Sequence, residues 1–417
     1  MPDYKKKKHK RKTLHKSKKD FSNDSFEITV KSKREADIPK TPRVIKGNKE
    51  LKGMRFKVFL SFLVIVALIL SVSLLIFPVG IAETFNNFVL SVGSGEYPVE
   101  ISGSRVLNVS TLDNYYYVLS DLNVYAVSNS GKQINSFIHG FANPVLKTSK
   151  TRALLYDQGQ KTYCVYTLKK AIISETLKFD IICADVSDSG KYAIATQSDS
   201  YSSTVSVYDK KGTVVFTWNC AKDLINSVTL SPNGKHLAVS TVNALNGELS
   251  SKVYILDINK TDAKNTFDYA DKTVYSLDSN RKGIYVVSAG GYSFIRWSNG
   301  SKNDEETKLD IEFFRESSKG ALIVENRTTD RSDNTVILLK NDGQKYGSFE
   351  FDGNISDIRQ SGSHIYIISD GFVYIYNTKG ELISRLKCDH DIRYLVPNGS
   401  RSVALVSDNA INSIVTR

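Results

Sequence analysis

From residue 97 onward the chain repeats a unit, and that repetition limits its fold more than any other feature. Val186-Ser-Asp-Ser-Gly-Lys-Tyr-Ala-Ile-Ala-Thr196 aligns with Leu230-Ser-Pro-Asn-Gly-Lys-His-Leu-Ala-Val-Ser240 at an offset of 44 residues. A second run recurs as Val124–Gly131, Val205–Gly212 and Val373–Gly380, each time ending on a glycine suited to a tight hairpin turn with positive φ. Between these marks lie short apolar runs separated by Asp, Asn, Ser and Gly, with no long helical pattern. The second strands of the units centre near Tyr117, Leu154, Ile194, Ala238, Val286, Ile323, Ile367 and Ala404, spaced 37 to 48 residues apart. Four-stranded units at about 40–50 residues are the mark of a β-propeller. The reading is an all-β, eight-bladed propeller over 97–417, with seven blades as the alternative. Eight first, second and third strands are visible but only seven fourth strands, so Tyr97–Ser102 is expected to close the ring by completing the last blade.

The other constraint is Val58–Phe77, twenty residues without a charge. As a helix it covers roughly 30 Å, the thickness of a bilayer core. Residues 1–57 carry 20 Lys/Arg against 7 Asp/Glu, whereas the remaining residues carry 36 against 37. A basic flank ahead of an apolar span predicts a transmembrane helix over 58–77, with the N-terminus cytoplasmic and the C-terminal domain outside. A signal peptide fits less well, because the region before the span exceeds fifty residues and no A-x-A site follows. The tail 1–57, with KKKKHKRK at 5–12, is expected to be disordered. Besides setting topology, it suits anionic lipid headgroups rather than a specific nucleic acid. Residues 78–96 read as a juxtamembrane linker.

The segments Asn143–Lys147, Thr151–Asp157, Tyr192–Thr196, Val205–Asp209, Phe216–Trp218, Leu230–Val239 and Ser250–Asp257 resemble the DUF5711 family, membrane-anchored propeller-like proteins of Clostridia and relatives. The resemblance covers most of 97–417 and the anchor. It implies fold and topology and carries no catalytic residues.

Chemistry-bearing motifs are missing. There is no G-x-S-x-G, Walker, H-E-x-x-H or G-x-G-x-x-G sequence. The two tryptophans, Trp218 and Trp297, lie in no quinoprotein docking motif, and the WD40 signatures do not occur. None of the cysteines Cys164, Cys183, Cys220 and Cys388 forms a C-x-x-C pair. Cys388-Asp389-His390-Asp391 offers mixed ligands, but adjacent residues rarely converge on one ion. The expectation is a non-enzymatic protein without metal or cofactor.

Long turns between second and third strands stand out at Ser198–Ser203, Asn243–Ser251 and Asn326–Asn334. Loops on a rigid scaffold commonly carry function. The candidate partner-binding residues are therefore Tyr201, Asn246 and Glu248, then Arg327, Asp330, Arg331 and Asp333, with His139 and Asn143 on the same face. The function expected is a single-pass scaffold of the bacterial cell envelope that binds an extracytoplasmic protein or wall component. Two alternatives are an enzyme or cofactor protein using the central channel, and a transmembrane sensor acting through the tail.

Overall fold

The computed structural model describes residues 57–68, 71, 80–112, 114–245, 247–260, 263–307, 309–317, 319–328, 330–399 and 402–416. Residues 57–68 and 71 are helical, but the rest of the expected span lies outside the described residues. Among the described residues no helix is long and apolar enough to cross a membrane. The basic tail, apart from Lys57, also lies outside them.

The remainder folds into eight four-stranded antiparallel sheets. Eight blades, not seven, form the ring, and every second-strand centre read from the sequence falls inside a second strand. Blade eight takes its first three strands from Tyr394–Asn398, Ser402–Val406 and Ala410–Val415, and its outermost strand from Val99–Glu100. Val99 pairs with Ile411 and Glu100 with Ala410, so the two ends of the ring close in one sheet. Closure removes the pair of free edges that an open ring would expose.

Strand position within a blade decides composition. Second strands such as Tyr115–Ser120, Ala153–Asp157 and Gly283–Ser288 are buried at every residue. Neighbouring blades cover both of their faces, so these strands read as continuous apolar runs. Fourth strands such as Leu382–Lys387 are mostly exposed and mix polar with apolar residues. The core is accordingly eight seams, each a hydrophobic cluster between adjacent blades. The closing seam joins Val99, Val106 and Val118 of the N-terminal part to Val396, Val406 and Ile411 of the C-terminal part.

The recurring glycines work as expected. Gly131, Gly212, Gly343 and Gly380 have φ between 81° and 88°, in turns between third and fourth strands. In each blade the register shifts next to the turn, at Ala126/Val127, Val207/Tyr208, Leu338/Leu339 and Ile375/Tyr376. A type I turn followed by a left-handed glycine produces this one-residue bulge.

Within the stretch read as a linker, Gly80–Ser91 forms a helix. Asn87 Nδ2 donates to the Lys150 carbonyl at 3.2 Å, and Lys132 Nζ donates to the carbonyls of Leu90 and Val92 at 3.2 Å each. Leu90 packs on the seam between blades one and two, with Tyr115, Leu146 and Leu155. The helix therefore lies on the face made by the turns between first and second and between third and fourth strands. This face is called lower below, and the opposite one upper.

Candidate functional site

The first strand of each blade lines the central channel, and several of these strands touch their neighbours around the ring. The channel holds charge that the sequence reading did not single out. Lys147 of blade two, Asp185 of blade three, Asp278 of blade five and Glu316 of blade six lie close enough to act on one another's ionisation, although blades two and three are separated from blades five and six by at least one blade. Only positions facing a common centre allow this. Burial would lower the Lys147 ammonium, but Asp278 and Asp185 outweigh it and the net shift is upward. Burial raises the Asp185 carboxyl, while Lys147, the Leu230 N–H (2.8 Å) and the Thr229 hydroxyl (3.0 Å) oppose the rise. Glu316 is reached by solvent within the channel yet surrounded by protein. Desolvation, then Asp278 and Asp185, push its carboxyl up to about 8, so it keeps its proton at neutral pH. The Cys183 thiol beside them is raised to about 12 by burial, which leaves it a thiol.

A second channel group is fully paired. Arg315 Nε and Nη2 donate to Asp357 Oδ1 at 3.4 and 3.3 Å, and Arg359 Nε donates to Oδ2 at 3.1 Å. The Leu395 N–H also donates to Oδ2, at 3.2 Å. Arg359 Nη2 reaches the Val109 carbonyl at 3.1 Å. One carboxylate thus links blades six, seven and eight, and Arg359 extends the link to blade one. Asp357 is fully buried, so its role is to hold the ring.

The sequence-predicted residues share the upper face without forming one cluster. In blade six the turn runs over 327–332, since Asn326 already pairs with Asn334. Arg327 forms ion pairs with Asp333 (3.3 Å) and Glu350, while Arg331 donates to Glu312 at 3.1 Å. Hydrogen bonds from Thr328 and Ser332 hold the Asp330 carboxyl below the usual range. These four residues come together. Tyr201 is exposed on the blade-three turn.

The stretch Asn243–Ser251 is a ribbon rather than a loop. The second and third strands of blade four extend upward through the pairs Asn243↔Ser250, Ala244↔Leu249 and Leu245↔Glu248. The flanking first and fourth strands stop at Val242 and Ser251. Asn246 lies outside the described residues, and Glu248 sits exposed beside the tip.

His139 has a structural task. Its Nε2 donates to the Ser120 carbonyl (3.0 Å) and its Nδ1 accepts from the Phe141 N–H (3.0 Å), which pins the connection between blades one and two. Asn143 is exposed, and its backbone N–H donates to Asp157 Oδ1 at 2.7 Å. All four cysteines are free thiols. Among the described residues no group of three or more His, Cys, Asp or Glu side chains is arranged to hold a metal.

These features define the class: a closed eight-bladed β-propeller with charged side chains in its channel and an elaborated upper face. The model of a family of unknown function, DUF5711, matches residues 95–415, and the chain belongs to that family. Solved structures share the fold at low identity. The computationally designed Ika8 protein is 12% identical with a TM-score of 0.57, covering 75% of this chain and 97% of that one. BamB from Moraxella catarrhalis is 13% identical (TM-score 0.51, 77% and 99% covered). The C-terminal WD40 domain of Sif2 is also 13% identical (TM-score 0.53, 77% and 99% covered). No curated protein matches the sequence.

Proposed function

We propose that this chain is a non-enzymatic, membrane-anchored binding module whose upper face takes an extracytoplasmic protein or wall component. The blade-four ribbon carries the reading. Its three outer residue pairs lie beyond both flanking strands, so they add nothing to the seams that hold the ring. It raises unpaired strand edges and the half-exposed Leu249 above the face, and free edges are templates for a further strand. Likeness in fold to a WD40 domain and to BamB supports a scaffold role. The uncharged run Val58–Phe77 behind a basic flank supports the anchor. The test is a photo-crosslinking residue at Tyr201, exposed on the neighbouring upper-face turn, in the full-length protein in its native membrane, repeated with Asn243–Ser250 shortened to a two-residue turn. A discrete adduct that disappears with the ribbon is expected. Its persistence without the ribbon, or no adduct from a folded protein, would refute the reading.

The channel supports the second reading, an enzyme or small-ligand propeller. A protonated Glu316 beside Asp278 and Lys147 is a group that could move a proton. Tightly bound metal or chromophore in the purified protein, found by elemental and absorbance analysis, would favour it.

A further inference from the structure

The helix Gly80–Ser91 presents two unlike sides. Asn87, Leu90 and Ser91 turn toward the propeller, where Asn87 and Ser91 are buried and Leu90 enters the seam of blades one and two. Phe85, Phe88, Val89 and Val92 turn away and are 67%, 49%, 51% and 55% exposed. The spacing i, i+3, i+4, i+7 puts these four on one stripe. The propeller does not cover that stripe, although it holds the other side of the same helix.

The face on which the helix rests is also the basic one. Among the described residues, the solvent-accessible positions in lower-face turns comprise 13 Lys/Arg and 4 Asp/Glu. The corresponding upper-face turns and connections comprise 8 Lys/Arg and 9 Asp/Glu. The pairs Lys169–Lys170, Lys210–Lys211 and Arg281–Lys282 spread the positive charge over blades two, three and five. The helix begins three residues after Phe77, the end of the uncharged run.

We infer that the lower face of the propeller lies on an anionic bilayer surface, with Phe85, Phe88, Val89 and Val92 set into the lipid interface. The inference rests on the membrane-anchored reading and adds an orientation to it. An amphipathic helix lying in the interface buries its apolar side about 5–10 Å into the headgroup boundary. Surrounding lysines then meet anionic headgroups, and the attraction weakens with salt. The short connection from Phe77 keeps the stripe within reach of the interface, and the docked side of the helix turns the whole ring lower face down. The ribbon and the 327–332 turn then point away from the membrane.

The experiment uses the full-length chain reconstituted into vesicles of phosphatidylcholine and phosphatidylglycerol at about 3:1, and into phosphatidylcholine alone. Brominated acyl chains quench a tryptophan introduced as Phe88→Trp or, on the upper face, as Tyr201→Trp. The unsubstituted protein supplies the background from Trp218 and Trp297. Flotation separates the two levels of the argument. Protein that fails to float with vesicles refutes the anchor and the orientation together. Protein that floats with residue 88 quenched no more than residue 201, as when a second copy covers the stripe, refutes the orientation alone. The expected result is flotation with quenching at residue 88 at least about twofold above residue 201, strongest for bromines near the headgroup end. Quenching that is equal without phosphatidylglycerol would refute the contribution of the basic face.

Discussion

Removing the Asp357 carboxylate tests whether the channel network holds the ring closed. In Asp357→Ala, Arg315 and Arg359 both lose their counterion, and the fully buried Leu395 N–H loses its acceptor. Breaking a buried pair by removing one partner costs about 3–5 kcal/mol, and an orphaned amide adds about 1–3 kcal/mol. The Arg315 and Arg359 side chains remain 27% and 13% exposed in the channel. Solvent there recovers part of the loss, so about 4 kcal/mol is expected. That is a large fraction of a domain's net stability of about 5–15 kcal/mol. Asp357→Asn keeps the shape and one acceptor and should cost about 2 kcal/mol. Thermal melting of the full-length chain in lipid discs is the assay, with a fall of about 10 °C expected for Asp357→Ala. An alanine variant that melts within about 2 °C of the parent would show that the arginines are held by the seams alone.

Three further outcomes follow from the same structure. Gly380→Ala should cost about 3 kcal/mol and Gly212→Ala about 1 kcal/mol. Both place a side chain at positive φ, but only at Gly380 does the new carbon run into the Phe349 Cβ, while at Gly212 the nearest atom is Ile173 Cδ1 at 3.4 Å; equal urea midpoints would contradict this order. Val99→Asp puts an unpaired charge into the closing seam at a position 7% exposed, so limited proteolysis should cut the 97–105 region well before the other blades. The Glu316 carboxyl is raised in the folded state from 4.5 to about 8, so its contribution is complete below pH 4.5 and is lost as pH rises toward 8. Because the channel admits solvent, the loss should be only about 1 kcal/mol, and Glu316→Gln should flatten the change in melting temperature between pH ~5 and ~9.

The ring was legible because a propeller writes each of its requirements locally. Middle strands buried on both faces appear as unbroken apolar runs such as Tyr115–Ser120. Hairpins that need a left-handed residue show Gly131, Gly212 and Gly380 at matching places. The missing fourth strand, taken from Tyr97–Ser102, pairs through Val99 and Glu100. The stretch Asn243–Ser251 reads as a long turn in the sequence, yet pairing continues as far as Leu245↔Glu248. His139 reads as a binding residue because its connection shares the face of the long turns, and in the structure both ring nitrogens hydrogen-bond to the backbone. The channel cluster was not legible at all. Lys147 and Asp278 are single charges in different repeats, separated by 131 residues, and only ring closure turns them toward each other.

Averaging also concealed the difference between the two faces. Residues 58–417 carry 36 Lys/Arg and 37 Asp/Glu, which reads as a neutral domain with no preference for any surface. The turns alternate between faces along every blade, so neighbouring stretches of sequence contribute to opposite sides of the ring and their charges cancel in any running sum. Sorted by face, the lower turns are strongly basic and the upper ones nearly balanced. The helix Gly80–Ser91 falls within residues 78–96, which read as a juxtamembrane linker, and the buried side chains of Asn87 and Ser91 show that half the helix belongs to the propeller. A face that is basic and carries an exposed apolar helix stripe is the one we infer to meet a membrane surface. The opposite face, with its ribbon and paired loop charges, is the one proposed to take a partner.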